Sequence, residues 1–104
     1  MIVKKLDLSS LSSVRSFAED INKTEGKLDV LIHNAGVAYT FEKVVTKDGL
    51  DMTMATNHFG PFLLTHLLIG IMHRTFTYEN FELIDIFLKK SFSDFRFVKK
   101  VKTL

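Results

Sequence analysis

The chain has no cysteine among its 104 residues. That excludes disulfides, thiolate zinc sites and a cysteine nucleophile. It also lacks a strong charge of either sign, since 14 basic and 12 acidic residues leave a net charge of +2. Such a balance argues neither for nor against a polyanionic partner. The long apolar region that a signal peptide needs is missing from the start, where Met1-Ile2-Val3 runs into the pair Lys4-Lys5, so the expectation is an intracellular protein, cytoplasmic or organelle-associated. No helical run reaches the length of a membrane span without interruption: the longest, Leu50 to Met72, carries Thr65 and His66. No histidine pair has a companion carboxylate at metal-ligand spacing, so no metal site is expected. What remains, 46% apolar residues, suffices for the core of one small soluble domain.

The segment most open to reading is Asp29 to Gly36. Val30, Leu31 and Ile32 form a short, β-branched-rich run that fits a strand buried on both faces of a parallel sheet. It ends in Asn34-Ala35-Gly36, small residues at the strand end where open α/β sheets bind their ligands. Upstream, Ile2 to Leu8 reads as another short strand with Asp7 near its end. Ser9 and Ser10 offer helix caps. Leu11, Val14, Phe17, Ala18 and Ile21 then recur at helical spacing, and Gly26 is placed to close that helix. Residues 2–32 are therefore expected to form a strand, a helix and a strand, the βαβ unit of a parallel sheet.

Downstream, 37–47 has no clean period and Asp48-Gly49 signals a turn or helix entry. A helix is predicted from Leu50 to about Met72. Asn57 lies on its otherwise apolar stripe, and beyond Phe59 it is apolar almost all round, as expected for a helix that meets a second layer or a partner subunit. The single proline, Pro61, cannot donate to the carbonyl four residues earlier, which is that of Asn57. That carbonyl is left to water or a side chain, as a tolerated kink or as a water station in a proton relay. Residues 79–90 suit an amphipathic helix with Phe81, Ile84 and Leu88 on one face. The end, Phe92 to Lys102, interleaves phenylalanines with basic residues. That pattern can bind nucleic acid or an anionic membrane, but a run this short reads as a solvated or disordered terminus.

Asp7 at a strand end, the Asn34-Ala35-Gly36 turn, and Asn57 within Ala-Thr-Asn-His-Phe-Gly-Pro-Phe-Leu-Leu-Thr together resemble the middle of a short-chain dehydrogenase/reductase, closest to the retinol dehydrogenase-like branch, over about residues 3–68. The resemblance implies a partial doubly wound α/β fold over residues 1–72, with two retained strands and flanking helices, followed by an unrelated tail over 73–104. It implies NAD or NADP as cofactor and an alcohol or ketone as substrate. Asp7 would bond the adenine amino group, Leu8 and Asn34, Ala35 and Gly36 would line the cofactor, and Asn57 would hold the relay water. His33 stands where the family has the first asparagine of Asn-Asn-Ala-Gly. The family's Thr-Gly-x-x-x-Gly-x-Gly fingerprint and its later serine and Tyr-x-x-x-Lys pair do not occur in their places. Tyr39 and Lys43 have the latter spacing but directly follow the turn, too early in the order. Arg96-Phe97-Val98 faintly resembles the start of the fifth strand but runs into lysines rather than a serine.

Two consequences follow. In the doubly wound order 3-2-1-4-5-6 the retained third and fourth strands are not neighbours. They would have to pair directly, leaving exposed edges and an aggregation-prone or partly molten chain. Functionally, the chain is expected to be an inactive portion of a nicotinamide-dependent dehydrogenase, or alternatively a non-catalytic protein that docks on a full-length relative, or dimerises, through residues 50–72. A tail-led nucleic-acid or membrane binder is the weakest of the three readings.

Overall fold

A computed structural model describes residues 2–38, 41–75, 83–87 and 96–100. The elements are β1 (Ile2–Lys5), α1 (Leu11–Thr24), β2 (Val30–His33), a short α2 (Met52–Met54) that passes through a π-helical turn (Ala55–Phe59) into α3 (Gly60–Thr75), then β3 (Leu83–Phe87) and β4 (Arg96–Lys100).

The βαβ unit is present. Ser10 caps α1, its hydroxyl accepting from the Ser13 amide at 3.3 Å. A second cap comes from far along the chain: Asp48 Oδ2 accepts from the Leu11 amide at 2.9 Å, a carboxylate at the positive end of the helix. Gly26 does not close this helix as expected. The ladder ends when the Glu25 amide bonds the Ile21 carbonyl, and Glu25 then leaves in an extended conformation, so no left-handed residue is required. The left-handed glycine is Gly49 (φ 77°), in the turn that returns the chain from Thr46 to Leu50.

The core lies where α1 and α3 face each other: Val14, Phe17, Ala18 and Ile21 from α1, Leu64, Leu68 and Ile71 from α3, and Leu6, Leu8 and Leu28 from the segments flanking the strands. The helical residues recur mostly at three- or four-residue spacing, so one stripe of each helix faces inward. Asn22 Nδ2 donates to the Leu67 carbonyl at 3.0 Å across the same interface. On the sheet side, Lys4 of β1 pairs with Asp20 of α1 and bonds the Thr24 hydroxyl.

Five further expectations need correction. The first strand ends at Lys5, so Asp7 and Leu8 belong to the connection into α1. β2 is half-buried rather than buried on both faces, because it lies at the edge of the sheet. The stretch 50–72 is not one α-helix: it starts at Met52, widens to a π-turn, and continues as α3. Pro61 has no N–H for an α-type bond to Asn57, and just before it the Gly60 amide reaches back five residues to the Ala55 carbonyl. Finally, the sheet has four strands in the order β1-β4-β3-β2. β1 and β2 do not pair directly, and Leu83–Phe87 is a strand where helical spacing suggested a helix.

Candidate cofactor-binding site

The turn after β2 and the start of the long helix are joined at one side chain. Asn57 Oδ1 accepts from the Val37 amide at 2.7 Å and Asn57 Nδ2 donates to the Val37 carbonyl at 2.8 Å. This paired arrangement uses both ends of the amide and fixes its orientation. A Cβ on Gly36 would lie 3.3 Å from Asn57 Oδ1, a tight contact that glycine avoids. Asn34 is exposed, while Ala35 and Gly36 are half-buried.

The second junction joins the end of the β1 segment to the same helix. A Cβ on Gly60 would lie 2.2 Å from the Leu8 carbonyl oxygen and 3.0 Å from that of Ala55. Only glycine allows this approach. Leu8 is buried beneath the contact, and Asp7 beside it is half-buried. Asp7 Oδ1 accepts from the Ser9 amide at 2.9 Å and from the Ser9 hydroxyl at 2.6 Å, while the Ser13 hydroxyl accepts from the Asp7 amide. Asp7 is thus held as a local turn with one carboxylate oxygen engaged. Among the described residues, Oδ2 has no hydrogen-bond donor.

His33, in place of the family's asparagine, reaches toward α3 instead of along the sheet: its Nε2 is 2.7 Å from Thr65 Oγ1. The Thr65 hydroxyl donates to the Pro61 carbonyl at 2.9 Å, so it accepts from His33, whose Nε2 carries the proton. Burial pushes the His33 pKa below its ordinary value.

The expected residues therefore fall into two groups tied to one helix: Asp7 and Leu8 through Gly60, and Asn34, Ala35 and Gly36 through Asn57. Sequence reasoning missed Val37, Gly60 and Thr65. Gly60 followed by Pro61 inside a helical pattern was the available signal for the close approach. Tyr39 lies outside the described residues. No group of three histidine, cysteine or acidic side chains able to hold a metal occurs among the described residues, and no described helix is long and apolar enough to cross a membrane.

The arrangement suits only part of a dinucleotide. Asp7 Oδ2 and the exposed Asn34 could meet polar groups of a nucleoside. Pyrophosphate, however, is held by free amides at a helix N-terminus, and at α1 those amides already meet Ser10 and the Asp48 carboxylate.

Residues 1–77 match the family model for short chain dehydrogenase. The chain belongs to that family. It is 49% identical over 72 residues to retinol dehydrogenase 14 of Mus musculus, covering 69% of this chain and 21% of that protein. It is 49% identical over 71 residues to retinol dehydrogenase 12 of Bos taurus, covering 67% and 22%. To the chloroplastic protochlorophyllide reductase of Daucus carota it is 41% identical over 75 residues, covering 70% and 19%. The aligned part of the chain thus spans about a fifth of the length of these relatives.

Proposed function

We propose that this chain is a portion of a retinol dehydrogenase-like oxidoreductase, one that uses NAD or NADP on an alcohol or ketone, and that it does not turn over substrate by itself. The Asn57–Val37 pairing carries the reading. It joins the Asn-Ala-Gly turn to the asparagine helix, the two motifs whose combination distinguishes the family in this sequence. Asp7, through Oδ2, accepts from the adenine amino group. Leu8, Asn34, Ala35 and Gly36 form the wall against the cofactor, and Asn57, its side chain committed to Val37, offers its main-chain carbonyl to the relay water. The cofactor would supply the hydride. The proton at the substrate oxygen needs an acid/base group, and no Tyr-x-x-x-Lys pair stands in the family's place to provide one.

Retinaldehyde and NADPH or NADH, incubated with the purified 104-residue chain, are expected to give no change in nicotinamide absorbance above the protein-free rate. Measurable turnover by the chain alone overturns the reading.

The outer face of the 50–72 segment favours a second reading, docking on a full-length relative or on another copy. Met54, Phe59, Phe62 and Ile69 are exposed there, Phe62 at 58%. The Phe62 ring also packs against His66, with centroids 4.4 Å apart. Phe62→Asp is expected to abolish co-purification of a full-length relative with the tagged chain. Equal capture by the variant rejects docking through this face.

A further inference from the structure

β1 and β2 are separated by two strands contributed from the C-terminal part of the chain. β4 pairs antiparallel with β1, setting Val3 opposite Val98, and antiparallel with β3, setting Asp85 opposite Val98. β3 pairs parallel with β2, setting Leu31 opposite Ile84. The two antiparallel steps and the one parallel step leave β1 and β2 parallel to each other, as in a βαβ unit. The doubly wound order also places two strands between its third and fourth, namely its second and first. We infer that β3 and β4 act as an internal strand donor, occupying in this chain the sheet positions that belong in this fold to the first two strands.

Chain direction bears on the inference. β3 follows β2 through the long connection that contains α3 and runs parallel to it, as a first strand would run beside the fourth. β4 runs the opposite way. Only the eight residues 88–95 separate β3 from β4, and a parallel crossover needs a dozen or more. The inserted pair also changes the stability expectation, because both inner edges of β1 and β2 are satisfied by backbone partners instead of lying open to other chains.

The inference rests on the family reading for the meaning of the two positions, and its test reads strand order alone. The chain has no cysteine, so introduced pairs report without background. Two double variants, Val3→Cys with Val98→Cys and Leu31→Cys with Ile84→Cys, place thiols on directly paired residues, within reach of a disulfide. A third, Val3→Cys with Leu31→Cys, joins strands three steps and about 14 Å apart. Under mild oxidation of dilute chain, mass spectrometry of the monomer should show loss of two hydrogens and a linked peptide in the first two variants, and free thiols in the third. Failure of either of the first two to link, or linkage of the third, overturns the inference. Neither result bears on nicotinamide turnover, so a failure here is distinguishable from a failure of the proposed function.

Discussion

Asn57 and Val37 are joined by two hydrogen bonds of 2.7 and 2.8 Å that engage both ends of the Asn57 amide and both main-chain groups of Val37. The pairing needs a donor and an acceptor on one side chain. Asn57→Asp keeps the acceptor for the Val37 amide but sets a second carboxylate oxygen against the Val37 carbonyl. It is expected to lower stability by at least the ~1 kcal/mol that Asn57→Ala loses with its bonds to an exposed site. Urea midpoints at unchanged slope measure the loss, and faster exchange of the Val37 amide locates it.

Gly60→Ala should be the more damaging change, although alanine favours a helix by about 1 kcal/mol over glycine. Its Cβ would sit 2.2 Å from the Leu8 carbonyl oxygen, a backbone atom that cannot swing aside, so α3 must move off the β1 segment. The expected cost is about 1–3 kcal/mol or more. Gly70→Ala, where nothing lies within 4 Å of the new methyl, is the control and should stabilise. Equal midpoints for the two variants would show that the close approach does not exist in solution.

Asp48→Ala removes the carboxylate that accepts from the Leu11 amide at the start of α1. Ser10 retains its own capping bond, so the helix persists and the loss should be about 1 kcal/mol. Asp48→Asn keeps an acceptor but not the charge and should recover part of it. Thermal unfolding of the three chains orders them.

His33 gives a pH dependence whose sign follows from its environment. Burial lowers its pKa in the folded chain, so below the ordinary histidine value of about 6.5 the unfolded chain takes up a proton that the folded chain resists. The associated stability is fully present above that value and is lost as pH falls through the lowered folded value. His33→Asn removes the titrating group, so its stability should fall less than that of the parent over the same range. Parallel curves would place the dependence elsewhere.

The βαβ unit was legible because its signals are local: a β-branched run, apolar residues at helical spacing and a serine cap are each set by neighbours within a few residues. The pairing of the Asn-Ala-Gly turn with Asn57 was half legible. Both motifs could be read, but their junction at Val37 depends on where the helix crosses the turn. Residues 83–87 were not legible. Leu83-Ile84-Asp85-Ile86-Phe87 has apolar residues that suit either period, and Ile84 with Leu88 had favoured the helix.

The sequence by itself determined the family, the order of the first strand, helix and strand, the inward stripe of α1, and the Asn-Ala-Gly turn after the second strand. Only the tertiary structure decided which strands are neighbours, which residue holds the turn, and why Gly60 must be glycine. Those outcomes depend on backbone groups brought together from distant parts of the chain. Strand pairing is a contest among N–H and C=O groups that every residue carries, so side-chain pattern does not specify the winner.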